Sequence, residues 1–294
     1  MLIHPIINIT PIILPELLFT DRFNNPNACV DMNPSLHISE SGDVKILVRR
    51  VNYRKFSNRN FILYKNRSES TYVILRGTIS DKPLNIEDYA LVTLENYYSI
   101  PTYSTYWTGI EDIRFINDSS ILTTIPECNP SGQPCIFRAC LDNNTVHSHT
   151  ICSPNITEKN WMPYIDNEGK DMVIYSLFPF ILKSINSDDR QNLPINEAAL
   201  EGYHGSTNGI EYNNERLFLV HCNKERTYHR WILFNPSTHA LRVSDPFVFF
   251  KHSHIEFTCS LARYKERIFI SIGVNDNSAF ILELDKNEIG QYIS

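Results

Sequence analysis

The sequence contains no Gly-x-Ser-x-Gly, no Gly-x-Gly-x-x-Gly and no P-loop, which removes the usual serine-hydrolase, dinucleotide and NTPase readings. Positive charge is not in excess either: 27 Lys and Arg stand against 33 Asp and Glu, a formal net charge of -6. The attraction that dominates nucleic-acid affinity is therefore missing, and no nucleic-acid partner is expected. Residues Met1 to Leu18 carry apolar clusters broken by His4, Pro5, Asn8, Pro11, Pro15 and Glu16, with no charged leading region. They support neither a signal peptide nor a membrane-spanning helix. The seven cysteines are odd in number, scattered and without a Cys-x-x-Cys pair, which points to a reduced, cytoplasmic setting. Ligand-spaced histidines occur only as the isolated pairs His147/His149 and His252/His254, so neither a metal nor another cofactor is expected.

What is present is apolar surface in short pieces. Hydrophobic residues are 42% of the chain and aromatics 12%, enough to bury a substantial core. The apolar runs read as strands: 44–51, 60–64, 72–75, 113–116, 121–125 and 135–141, then 172–175, 180–185, 217–222, 229–234, 247–250, 267–273 and 279–284. Helical stripes are almost absent, and residues 196–200 make at most a turn or two. Many short strands between turns such as Ser41-Gly42-Asp43 predict an all-β sandwich, barrel or propeller. At roughly 40 to 60 residues per blade, the length favours a five-bladed β-propeller with a central axial pocket. Residues 1–294 form one domain on this reading, with 1–25 as a lead-in segment. Asp43–Arg49, Arg216–His221 and Arg267–Gly273 share an apolar run ending in a polar or small residue, as inner strands do on reaching an axial pocket.

Three clusters carry candidate chemistry. In Gly109-Ile110-Glu111-Asp112-Ile113-Arg114, two adjacent carboxylates precede an arginine, so one carboxylate can be held ionised while the other faces a substrate. The same trio also reads as a turn acid beside a surface arginine. Glu158-Lys159-Asn160-Trp161, with Tyr175-Ser176 beyond, sets an aromatic plate beside hydrogen-bonding groups, as sugar sites do, or else contains an ordinary buried tryptophan. Tyr203-His204-Gly205-Ser206 is followed by His221, His229 and Arg230 on the next strands, with no metal-ligand spacing. Asn33-Pro34, Arg49-Arg50 and Gly273-Val274-Asn275-Asp276 are bland singly.

Taken in order, these blocks resemble the signatures of the five-bladed propeller family of β-mannoside phosphorylases, β-1,2-mannosidases and related mannosyltransferases, the glycoside hydrolase family 130 type. The resemblance runs from Asn33 to Asp276. Asn33-Pro34 and Arg49 resemble the family's Asn-Pro turn and sugar-binding arginine. Glu111-Asp112-Ile113-Arg114 resembles its Glu-Asp-Pro-Arg motif, with isoleucine in place of proline, which makes Asp112 the catalytic acid or base by resemblance. Lys159-Asn160, His221 and Asp276 match further pocket positions. At Tyr175-Ser176 the chain lacks an arginine that helps the family's phosphorylases hold phosphate.

The resemblance implies an inverting enzyme that moves a hexose, mannose first, from a phosphosugar or nucleotide-sugar to a glycan acceptor. A mannosidase would instead need a second carboxylate to activate water, with Glu111, Glu158, Glu201 or Glu256 available. A non-catalytic glycan-binding propeller is the third reading. In each, Asn33, Arg49, Glu111, Arg114, Lys159, Asn160, Trp161, Tyr175, His204, His221, His229, Arg230, Glu256 and Asp276 are the expected sugar contacts.

Overall fold

The computed structural model describes residues 2–14, 29–55, 61–63, 67–80, 83–95, 102–103, 105–151, 157–195 and 197–293, and almost every element among them is a strand. The exceptions are the helix Lys286–Tyr292 and two single 3-10 turns. Five sheets of four or more strands follow one another, with a two-stranded ribbon, Tyr53–Lys55 and Phe61–Leu63, beside the first.

The first sheet is built on Val30–Ile38, Asp43–Val51, Ser68–Thr78 and Asn85–Leu91, with Trp107–Thr108 added in parallel at one end. Glu111–Phe115, Ser120–Thr124, Ile136–Asp142 and Thr145–Ile151, with Thr93–Glu95 parallel at the edge, form the second, and Met162–Ile165, Asp171–Leu177, Phe180–Ser184 and Arg190–Asn192 the third. The fourth centres on Glu215–Asn223 and Thr227–Phe234, the fifth on Glu256–Tyr264, Arg267–Val274 and Ser278–Asp285.

Leu217-Phe218-Leu219-Val220 is apolar without alternation because both faces of its sheet are covered. Leu217 and Leu219 pack with Trp231, Phe247 and Leu261 towards the fifth sheet, while Phe218 and Val220 pack with Tyr164, Leu182 and Phe234 towards the third. The pattern repeats at every junction. Leu47, Ile74 and Phe137 join the first and second sheets; Leu122, Trp161 and Val173 join the second and third; Ile46, Val73, Phe269 and Ile281 join the fifth back to the first. The result is a propeller-like ring of sheets, each of whose large buried side chains contributes roughly 1.5 to 3 kcal/mol of transfer free energy.

Two expectations change here. The described part of the lead-in is structural: Asn8–Pro11 is the edge strand against Ser278–Asp285, and Leu2–Ile3 runs parallel to Phe247–Val248. Residues 15–25 of that segment lie outside the described residues, as do 60 and 64 of the 60–64 run, Cys152 and residue 196. The three strands expected to be innermost are each second in their sheet or flanked on the inside. Val30–Ile38, Glu111–Phe115 and Glu256–Tyr264 are end strands of their sheets and each meets the other two across sheets, while Arg267–Val274 also packs against Val30–Ile38.

Candidate active site

Those three converging strands each carry a register shift at the same level: between Met32 and Ser35, between Glu111 and Arg114, and between Thr258 and Ser260. A bulge inserts an extra residue and re-aims a side chain. Asn33 and Asp112 sit in two of these bulges with φ of 45° and 50°, a conformation that Asn and Asp tolerate better than other side-chain-bearing residues. The third bulge holds the buried Cys259, whose thiol is pushed up by burial and by the nearby Asp112.

The bulges bring the two residues face to face: Asn33 Nδ2 donates to Asp112 Oδ1 at 3.3 Å. Gly273 leaves room for this, since a Cβ there would lie 2.2 Å from Asn33 Oδ1. Arg49, from the neighbouring strand, is buried, with Nε on Ser70 Oγ at 3.0 Å and one NH2 on Glu111. Its NH1 reaches Asp112 Oδ1 only at 3.6 Å. Burial opposes the arginine's charge, but Glu111, Tyr53 and Asp112 around it hold it firmly protonated. Burial raises the Glu111 carboxyl above its ordinary range; Arg49 counters this in part, and Asp112 adds to it.

Arg114 binds the carbonyl of Ser206 through Nε and the carbonyl of Asp112 through NH1 at 3.2 Å, so it braces the bulge, and its guanidinium lies within electrostatic reach of the Asp112 carboxylate that Arg49 also approaches. Ser206 in turn shares a 2.6 Å hydrogen bond with His221 Nδ1. Burial and the neighbouring His229 and His204 lower the His221 ring to about 3, which leaves it neutral. Asp276, at φ 50° in the turn after Gly273, lies within electrostatic reach of Tyr53, as Arg49, Glu111 and Asp112 do. The field of Lys159 reaches both Glu111 and His221.

Lys159 and Asn160 also open a cavity of about 150 Å³ between the third and fourth sheets, lined further by Tyr175, Ser176, Tyr203 and His204. Tyr175 is fixed there by donating to Glu158 Oε1 at 2.7 Å and by the Arg190 guanidinium 4.2 Å above its ring. Burial and Glu158 push its hydroxyl up to about 12.

Four expected contacts belong elsewhere. Trp161 is 1% exposed, donates to Glu158 at 2.9 Å and lies 4.5 Å beneath the Lys183 ammonium, so no sugar can stack on it. His229 and Glu256 are fully buried partners, Nε2 to Oε2 at 3.2 Å, on the side of the fourth sheet that faces the fifth. Arg230 stands behind the cavity wall, 5.2 Å from the Tyr203 ring and bonded to the Ser244 carbonyl. Sequence reasoning missed Ser70 and Tyr72 as supports of the site; strand pairing of Arg49 with Tyr72 is the signal that finds them. Among the described residues no group of three or more His, Cys, Asp or Glu could hold a metal ion.

Asn33, Arg49, Glu111 and Asp112 thus form one connected polar cluster, with Tyr53 and Asp276 within electrostatic reach. No protein-family model and no curated protein matches the sequence. Solved structures do. The β-1,2-mannobiose phosphorylase of Listeria innocua, in complex with β-1,2-mannobiose, is 14% identical over 90% of this chain and 93% of its own, with a TM-score of 0.63. A structure from work on β-1,2-mannoside-targeting hydrolases within the GH130 family of mannoside phosphorylases is 13% identical over 88% and 85%, TM-score 0.57. A mannose phosphorylase of Leishmania mexicana, in complex with phosphate, is 10% identical over 92% and 89%, TM-score 0.54. At these identities the likeness is one of fold, and the chain has the propeller-like fold found in the β-mannoside phosphorylase and β-1,2-mannosidase family.

Proposed function

We propose that the five sheets are the blades of one five-bladed propeller domain whose axial cleft transfers a mannosyl unit, with inversion, between a phosphosugar and a glycan acceptor. The observation that carries this reading is the state of Asp112: two long contacts, at 3.3 and 3.6 Å, leave it able to exchange a proton, while Glu111 beside it is tied to Arg49. In synthesis the acceptor hydroxyl gives its proton to Asp112, its oxygen bonds to the anomeric carbon, and the bond to the phosphate oxygen breaks. Lys159 and His204 at the cavity favour the departing anion, in place of the arginine that Ser176 cannot supply. A nucleotide-sugar donor presents the same anomeric phosphate.

Hydrolysis needs a second carboxylate to activate water. Glu111 is paired, Glu158 is bonded to Trp161 and Tyr175, Glu201 is exposed at the end of the Ala198–Leu200 turn, and Glu256 is buried with His229. Asp276, near Tyr53, keeps a mannosidase as the second reading. No helix among the described residues is long and apolar enough to cross a membrane.

The test incubates the protein with mannose 1-phosphate or nucleotide-mannose plus acceptors, and separately with β-1,2-mannobiose with and without phosphate, following products by mass spectrometry beside Asp112→Asn. Elongated acceptor that disappears in the variant supports transfer. Phosphate-independent release of mannose supports the mannosidase, and inactivity with retained glycan binding leaves a lectin-like propeller.

A further inference from the structure

Three aromatic residues just upstream of Asp112 stand out in water: Tyr103, Tyr106 and Trp107 are 40%, 45% and 51% exposed. Their backbone is not loose. The buried Glu127 takes the Tyr103 amide on its carbonyl at 2.7 Å and the Gly109 amide on its carboxylate at 2.6 Å. Between these anchors the Ser68 amide donates to the Tyr106 carbonyl at 3.0 Å, and the Thr108 hydroxyl donates to the Ser68 carbonyl at 3.2 Å. The rings of Tyr106 and Trp107 meet edge to face, centroids 5.5 Å apart. A backbone tied at Tyr106 and Gly109 that holds two large apolar rings in solvent is preorganised for a partner, because little ordering is left to do on binding.

The partner follows from position. Trp107 is in register with Ser68, two residues from Ser70, whose hydroxyl holds Arg49. Two strand residues span about 7 Å, the scale of one or two pyranose rings. Gly109 lies tight against Ser70, where a Cβ would be 2.2 Å from the carbonyl oxygen, so the aromatic segment and the Arg49 anchor are one rigid unit. A pyranose has apolar faces and a hydroxyl rim, which suits an exposed indole beside a phenol.

We infer that Tyr106 and Trp107 form an outer subsite that stacks a sugar ring of a longer glycan, one or more units beyond the ring held at Asp112. This rests on the glycan reading of the site. The chain allows a direct test, since its other tryptophans, Trp161 and Trp231, are 1% and 0% exposed and Trp107 alone is open to a quencher. Acrylamide quenching is measured in the Asp112→Asn protein, alone and with β-1,2-linked mannobiose or mannotetraose, with binding followed in parallel by calorimetry. The tetrasaccharide is expected to lower the quenching constant at least about twofold and the disaccharide less; Trp107→Phe removes the quenchable emission, and Trp107→Ala weakens tetrasaccharide binding about three- to tenfold relative to the disaccharide. A tetrasaccharide that binds and leaves Trp107 fully quenchable overturns the subsite while the Asp112 reading stands. No binding by the variant and no turnover by the native protein overturns both.

Discussion

Two carboxylate centres of this molecule are built from similar parts and arranged to opposite ends. Around Glu256, the Phe249 and Phe250 amides donate at 2.9 and 3.0 Å, the Ser253 hydroxyl donates as well, and His229 and Arg226 stand at 3.2 and 3.5 Å. Every lone pair is used, and the carboxyl, which burial would raise, is held below its ordinary value by these donors. Around Asp112 the contacts are fewer and longer, and a quarter of the side chain is exposed. Saturation makes a clamp; incompleteness leaves capacity for a substrate proton.

The sharpest way to break this contrast is to remove each carboxylate. Asp112→Asn is expected to lower turnover about 10²- to 10⁴-fold while moving the melting temperature by less than about 2 °C, read by product assay and calorimetry. Glu256→Ala is expected to do the reverse: a loss of about 3 to 5 kcal/mol in urea denaturation, because His229 and two amides are left buried without their acceptor, with the activity of the folded fraction retained. Arg49→Lys stands between them. It gives up the fork that spans Ser70, Glu111 and Asp112, and is expected to raise KM about tenfold with a smaller fall in kcat.

The smallest effect is in pH dependence, and it has opposite sign at the two centres. Glu256 titrates below its ordinary 4.5 in the folded state, so its stabilising contribution is present above that value and lost as the pH falls through the folded one. Glu111 titrates above 4.5, so its contribution is present at lower pH and lost as the pH rises through its folded value. Denaturation midpoints across the acid range should therefore flatten on the acid side in Glu256→Gln and on the upper side in Glu111→Gln. Equal slopes in both variants would show the centres to be alike after all.

The same contrast explains what could be read from the sequence. Second strands such as Asp43–Val51 and Glu215–Asn223 were legible because they are apolar on both faces. The converging strands Val30–Ile38 and Glu256–Tyr264 were not, because the residues that shape the site, Asn33-Pro34 and the polar Thr258 and Ser260, interrupt the apolar pattern that marks a strand. Asp112, Asn33, Arg49 and Asp276 were reached through the resemblance; the first three are in contact here, and Asp276 stands within electrostatic reach of Tyr53. Trp161, His229 and Glu256 were misread because side-chain chemistry does not say which face of a covered sheet a residue occupies. Ser70 and Ser206 act through contacts 21 and 92 residues away in sequence, which no local spacing shows.

The N-terminal strands have a consequence for how the protein is made. Residues 2–11 are made before their partners at 247–248 and 280–283. His4 waits as well, its ring destined to stack 4.4 Å from Tyr292 and to sit beside Trp231 and Phe247, where burial lowers it to about 4. The ring of sheets therefore cannot be fastened until residues 280–283 have been made, and until then Asn8–Pro11 has no strand to pair with and the apolar face of the first sheet that joins the fifth stands open. A nascent chain with this seam is a natural client for chaperones.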